Sequence, residues 1–285
     1  MASGGNRRLR DVLDFFKAIV LGVIQGLTEF LPISSSAHLR IFPEFFGWSD
    51  PGAAFTAVIQ IGTELAVLIY FRKDIWRIAS MWLKSLFKPE YRGHVDARMG
   101  WYVIIGSVPI VILGIFLKDL IERDFRNLWV VGTTLIVLGV VLGIADRISA
   151  GDRAIKQMNL KHAGLLGVAQ ACALIPGVSR SGATISMGRF LGYDREAATR
   201  FAFLLAIPAV VGAGLFELKE IPHGENSYGW GPTITATVVS FVVGYAAIAW
   251  LLRYVSTKSY LPFVIYRIGL GALVLALLAG GVIAA

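Results

Sequence analysis

Long apolar runs separated by short polar ones dominate this chain. A bilayer core of about 30 Å takes about 20 apolar residues per helix. Six stretches reach that length approximately: Ala53–Phe71, Trp101–Lys118, Leu128–Ala145, Ala197–Glu217, Gly231–Leu252 and Leu261–Ala284. Two others, Ala18–Ile33 and Ala163–Val178, stop at 16 residues and run directly into sequence rich in Pro and Ser. A short apolar helix ended in this way predicts a re-entrant segment, which enters the membrane, turns and leaves on the same side. Such backbone is tolerated at depth only where protein or a water-filled cavity surrounds it.

The predicted order is re-entrant segment, span, span, span, and then the same again. Three spans is an odd number, so the second half is inverted relative to the first. A shift of 145 positions lays Leu21, Gly22, Val23 and Gln25 on Leu166, Gly167, Val168 and Gln170. It also lays Ser34 and Ser36 on Ser179 and Ser181, and Phe45 and Gly47 on Phe190 and Gly192. The expected architecture is all-α: one polytopic membrane domain over 1–285, with inverted repeats at 11–145 and 161–285. It has six transmembrane helices and two re-entrant helix-turn-helix segments. Inverted repeats with broken helices in matching places point to a site near the midplane, between the halves.

Composition agrees with a membrane protein and excludes other classes. Of the 285 residues, 56% are hydrophobic and 16% are charged, against roughly 45–50% and 25% in soluble domains. Mean hydropathy is +0.67. These values exclude a water-soluble enzyme, and also disorder, which needs low hydrophobicity and high charge. The net charge of +8 reads as loops facing anionic headgroups rather than as a nucleic-acid surface, since no nucleic-acid motif accompanies it. Sixteen of the 27 Lys and Arg fall on the side opposite the N-terminus, including the basic loop Arg72–Arg98 that contains His94. The positive-inside rule puts that side in the cytoplasm and both termini outside. Arg7, Arg8 and Arg10 argue the other way.

Trp48, Trp76, Trp82, Trp101, Trp129 and Trp230 fall near span ends, as an interfacial belt does. Gly132, Gly139 and Gly143 read as a close-packing helix face. His162 and His223 sit at predicted loop positions, solvated. A single cysteine, Cys172, excludes an internal disulfide and a multi-cysteine metal site. Met1–Lys17 is too polar for a cleavable signal peptide.

The chemistry is concentrated in the two polar turns. The first reads Gln25-Gly26-Leu27-Thr28-Glu29-Phe30-Leu31-Pro32-Ile33-Ser34-Ser35-Ser36-Ala37-His38. Gln25 and Glu29 share a helix face. An ionisable group inside a membrane costs roughly 2.5–3.5 kcal/mol or more, which makes Glu29 a functional candidate. The serines and His38 add hydroxyl nucleophiles and a group that titrates near neutrality. The bland alternative is that the serines cap a helix and His38 sits at the interface.

The second turn reads Pro176-Gly177-Val178-Ser179-Arg180-Ser181-Gly182-Ala183-Thr184. Helix-start N–H groups, hydroxyls and a guanidinium make an anion site. Arg180 suits bidentate phosphate binding; its structural alternative is a partner for Glu29 or for backbone carbonyls. No Walker-type loop occurs, and one His with one Glu supplies too few ligands for a tight metal cage. Together Glu29, Ser35, His38, Ser179, Arg180, Ser181 and Thr184 suit phosphoryl chemistry on a lipid phosphate, with Ser34 beside them.

At these residues the sequence resembles the undecaprenyl-diphosphate phosphatase, or bacitracin-resistance, family over essentially its whole length. The stretch Gln25 to His38 is similar to the family's first signature, an (E/Q)-x-x-x-E motif followed by serines and a histidine. Pro176 to Thr184 is similar to P-G-x-S-R-S-x-x-T, and Phe263-Val264-Ile265-Tyr266-Arg267 to a late F-x-x-Y-R element. The resemblance implies hydrolysis of a polyprenyl diphosphate to the monophosphate and inorganic phosphate in the bacterial plasma membrane, recycling the carrier for peptidoglycan synthesis. It also implies a site open to the extracytoplasmic side and activity helped by Mg or Ca. By the same resemblance Arg180 binds the diphosphate with Ser34, Ser179, Ser181 and Thr184. Ser35 or His38 is the nucleophile or its base, and Glu29 orients them. Attack by Ser35 with His38 as base is the preferred assignment.

Gln25 stands where many relatives carry Glu. Glu64, within Ala53–Phe71, is unexpected; it pairs with Arg267, faces the site, or is a tolerated, protonated, buried carboxyl. The rival reading is an inverted-repeat transporter or lipid flippase for a phosphate-bearing substrate. The expected partners are the lipid substrate and membrane lipids, with no nucleic acid. A homodimer is left open.

Overall fold

A computed structural model describes residues 3–49, 51–116, 127–220 and 228–284. Lys118, Arg123, Arg126 and His223 lie outside the described residues. Among those described the chain is all-helical, and its single β-type contact is an isolated bridge between Arg153 and Tyr193. Eleven α-helices follow in order. They are α1 (Ser3–Phe30), α2 (Ser35–Phe45), α3 (Ala53–Tyr70), α4 (Arg72–Phe87), α5 (Val95–Phe116), α6 (Leu128–Ile148), α7 (Leu160–Ala171), α8 (Arg180–Phe190), α9 (Arg195–Glu220), α10 (Trp230–Val255) and α11 (Leu261–Ala279).

Four of them, α5, α6, α10 and α11, are each long and apolar enough to cross a membrane, and α3 with α4 makes a fifth if that bent pair is one span. The chain is therefore a multi-pass membrane protein. Its surface agrees, because large side chains such as Ile115, Phe116, Val238 and Ile265 are exposed in numbers that water would not tolerate. A helix precedes each predicted turn, 28 residues long before the first and 12 residues long before the second. The first begins earlier than its apolar run, since α1 extends back through polar residues to Ser3. Hydropathy marks the part that sits in lipid, not the full extent of a helix.

Between α3 and α4 the axis bends by 70° at Phe71. Beyond the bend, α4 exposes Trp76, Leu83 and Phe87 along one stripe and Lys73, Arg77 and Lys84 along the next. That two-stripe face fits a helix lying along a bilayer interface.

Packing runs crosswise between the two halves of the chain. Helix α1 packs mainly on α10, which also takes α3, while α7 packs on α5. Helix α9 bridges α3, α5 and α8, and α6 packs along α11. The closest approaches are made by glycines. A Cβ on Gly22 would lie 2.5 Å from the Ala236 carbonyl oxygen, and one on Gly167 would lie 2.3 Å from that of Gly106. Gly132, Gly139 and Gly143 do face α11, against Leu275, Ile268 and Val264. In lipid, where apolar surface alone drives no association, such contacts supply the dispersion that holds helices together. This crosswise arrangement brings the α1–α2 turn and the turn before α8 into contact.

Candidate active site

The two polar turns share one backbone shape. Ser34 has φ 75° and ψ 100°, Ser179 has φ 70° and ψ 115°, and they are the two non-glycine residues at positive φ among those described. Strained residues of this kind cost of order 1–3 kcal/mol each and persist only where their surroundings enforce them. Each serine caps the helix that follows: Ser34 Oγ accepts from the Ala37 N–H and Ser179 Oγ from the Gly182 N–H. Each also lies 3.2 Å from the hydroxyl two residues on, Ser36 and Ser181. The turns differ in what stands between the paired serines, Ser35 in one and Arg180 in the other.

These two residues meet at Glu29. The Ser35 hydroxyl donates to Glu29 Oε2 at 2.7 Å. The Arg180 guanidinium donates to Glu29 Oε1 in a direct ion pair. Gln25 Nε2 adds a bond to Glu29 Oε2 and another to Thr63 Oγ1, both at 3.2 Å. Glu29 is thereby held in a fixed orientation, with the Ser35 hydroxyl donating to it. A charge at this depth is stable only when paired and hydrogen-bonded, and Arg180 and Gln25 meet both needs.

Next to this group is a small cavity lined by Glu29, Thr63, Glu64, Arg180 and Ser181 on its polar side. Phe30, Val67, Ala202, Phe203, Ala206 and Val210 line its apolar side. Glu64 faces this cavity, with Gln60 Nε2 donating to its Oε1 at 3.2 Å. The expected alternative, a pair with Arg267, does not form.

Arg267 has another task. It is fully buried, and its hydrogen bonds among the described residues all go to backbone carbonyls. Nη1 donates to Pro32 O at 3.0 Å, and Nη2 to Gly177 O and Val178 O at 2.9 and 3.0 Å. Nε reaches Leu135 O at 3.3 Å. One guanidinium thus fastens the first turn to the second and both to α6. Gly177 fits beneath it at φ +89°, where a Cβ would collide with Thr134 Oγ1 at 2.1 Å.

His38 is near the site, and neither hydrogen bond of its ring goes to Ser35. Its Nδ1 lies 2.6 Å from the Ser34 carbonyl oxygen, and its Nε2 lies 2.7 Å from the Tyr266 hydroxyl. The structure pairs Ser35 with Glu29 where a base at His38 was expected. Ser181 Oγ donates to Leu31 O at 3.2 Å while also lining the cavity. Thr184 is fully buried and donates to Arg180 O at 2.8 Å, so it supports the helix start rather than facing the cavity.

Sequence reasoning missed two features. Buried Asp146 accepts from Arg189 Nε at 3.1 Å, Arg195 Nε at 2.7 Å and the Tyr260 N–H at 3.1 Å, joining the ends of α6, α8, α9 and α11. Its only sequence signal is an acidic residue at the end of an apolar run. Gln170, at the position matching Gln25, is fully buried, and neither amide atom has a hydrogen-bond partner among the described residues. The repeat shift explains this: the places of Glu29 and Thr63 are taken by Leu174 and Pro208, which offer no side-chain acceptor.

No group of three His, Cys, Asp or Glu that could hold a metal occurs among the described residues. A hard cation carried by a diphosphate needs only one or two carboxylates beside the phosphate oxygens. Glu29 and Glu64, on one cavity, fit that lesser requirement.

Comparison with known proteins places this geometry in context. The family profile described as bacitracin resistance protein BacA matches residues 18–273. An undecaprenyl-diphosphatase of a Nocardioides species is 76% identical over 274 residues, covering 96% of this chain and all of the relative. The undecaprenyl-diphosphatase 2 of Frankia casuarinae is 57% identical, covering 94% of this chain and 96% of the relative. The undecaprenyl-diphosphatase of Micrococcus luteus is 54% identical, covering 96% and 100%.

Proposed function

This chain belongs to the BacA family of bacitracin resistance proteins, and on that premise we propose how it removes a phosphate from undecaprenyl diphosphate. The activity is that of an undecaprenyl-diphosphatase: hydrolysis leaves undecaprenyl phosphate and inorganic phosphate. The monophosphate re-enters peptidoglycan synthesis, and turnover of the diphosphate counters bacitracin.

The terminal phosphate sits against Arg180 and the start of α8, where guanidinium and helix-end N–H groups offset its charge. The prenyl chain leaves along Phe30, Val67 and Phe203. Glu29 takes the proton of Ser35 as its Oγ attacks the terminal phosphorus. The new Ser35 O–P bond forms, the bridging P–O bond breaks, and undecaprenyl phosphate departs with the bridging oxygen. Glu29 passes that proton to the departing bridging oxygen; it then takes a proton from the water that attacks the phosphoserine and returns it to Ser35 Oγ as the Ser35 O–P bond breaks and inorganic phosphate leaves. Ser179 and Ser181 shape the phosphate end, and Thr184 holds the helix start. A divalent cation arriving with the diphosphate would be held by Glu29 and Glu64 and would withdraw charge from the phosphate oxygens.

The observation that carries this reading is the Ser35–Glu29–Arg180 chain, which joins the two turns. A transporter needs an anion site but no hydroxyl held on a carboxylate. The matched Ser34 and Ser179 turns and the crosswise packing support the six-span, two-re-entrant inverted repeat. The positive-inside balance supports termini and site on the extracytoplasmic face. In the test, purified protein turns over undecaprenyl diphosphate and is quenched. Phosphate on Ser35, and loss of release in Ser35→Ala, are expected. A phosphopeptide at His38, or full turnover by Ser35→Ala, overturns the assignment.

A further inference from the structure

The two catalytic turns have the same strained serine but are not supported equally. In the second turn the Ser179 carbonyl accepts one backbone N–H, from Ala183 at 2.9 Å. In the first, the Ser34 carbonyl accepts the corresponding His38 N–H at 3.3 Å and also meets the His38 ring at Nδ1, at 2.6 Å. The extra support belongs to the turn that presents Ser35, and it depends on a proton being on Nδ1. A carbonyl oxygen accepts only, so an imidazole with its proton on Nε2 would turn a lone pair toward it.

We propose that Tyr266 is a positioning residue for the phosphatase reaction: its hydroxyl fixes the His38 tautomer, and His38 in turn fixes the Ser34 turn. The inference rests on the assignment of Ser35 and Glu29 above. Tyr266 Oη lies 2.7 Å from His38 Nε2. Its ring lies parallel to the imidazole, 7° between planes and 5.5 Å between centroids. With the hydroxyl donating to Nε2, the neutral ring keeps its proton on Nδ1. Among the described residues no carboxylate bonds to the ring. Tyr266 is next to Arg267, so one helical turn of α11 supports both catalytic turns. Arg267 works through carbonyls on the two turns, and Tyr266 works through the imidazole of the first. The same logic that orients metal-bound histidines through their other nitrogen applies here to a backbone carbonyl.

The test uses the full chain in lipid nanodiscs with ¹⁵N-histidine. The chain has four histidines, and His38→Gln identifies the signal of interest. Wild type is expected to show His38 protonated on Nδ1; a proton on Nε2 in wild type overturns the proposal without any variant. Tyr266→Phe keeps the stacked ring and removes the donor. It is expected to admit the Nε2–H tautomer and to lower kcat about tenfold with KM little changed. An unaltered tautomer, or an altered tautomer with full kcat, overturns the proposal. Phosphate found at His38 instead of Ser35 overturns the underlying assignment and leaves the tautomer result to be read separately.

Discussion

Replacing Arg267 with Lys keeps the charge and removes the fork. The guanidinium makes five carbonyl contacts between 2.9 and 3.5 Å, spread over Pro32, Thr134, Leu135, Gly177 and Val178. An ammonium on a shorter reach has three donors and no planar span, so it serves one turn and abandons the other. Losing two charge-assisted bonds at about 1.5–3 kcal/mol each amounts to about 3–6 kcal/mol. With roughly 2–4 °C per kcal/mol for chains of this order of size, the unfolding temperature falls by about 6–24 °C. Thermal unfolding of the purified protein in detergent reads this directly. Turnover measured below the new transition is expected to fall as well, because the turns carrying Ser35 and Arg180 lose their common fastening. An Arg267→Lys protein with unchanged unfolding temperature and unchanged turnover refutes the clamp.

Glu29→Gln removes the proton acceptor of Ser35 and is expected to lower kcat by about 10²–10⁴, the usual contribution of a general base, in a chain that still folds; phosphate release at saturating lipid measures it. Asp146→Asn leaves Arg189 buried without its counter-charge and is expected to destabilise by about 3–5 kcal/mol, read as a lowered unfolding temperature with KM unchanged in the surviving fraction. Gln170→Met replaces an amide that has no partner among the described residues with an apolar chain of similar shape. It is expected to leave stability unchanged or raise it, by up to about 1–3 kcal/mol, and a marked loss in thermal unfolding would contradict that.

What could be read from the sequence follows from where each interaction resides. Apolar runs, and the Pro, Gly and Ser that end them, are local, so α5, α6, α10, α11 and both turns were visible in advance. Glu29 and Arg180 were visible because isolated charges in apolar sequence are costly and need a reason. The pairing of Ser35 with Glu29 was not, because the five residues between them fold back through a turn whose positive φ no residue type announces. Nor was the task of Arg267: its partners are backbone carbonyls, which leave no side-chain signature, so an acidic partner at Glu64 looked the more natural choice. The polar start of α1 was hidden because hydropathy reports solvent rather than helix. Asp146 was hidden because its partners Arg189, Arg195 and Tyr260 lie 43 to 114 positions away.

The clamp at Arg267 also bears on how such a site can change over generations. Because it grips only main-chain oxygens, it is indifferent to the side chains that the turns display. Substitutions at residues 35 and 180 can alter what the cavity recognises or how it reacts while the frame beneath keeps its spacing. The fastening is in this sense a chassis and Ser35 and Arg180 are fittings. New chemistry on this scaffold has room to arise at the turns, and a change at position 267 would threaten all of it at once.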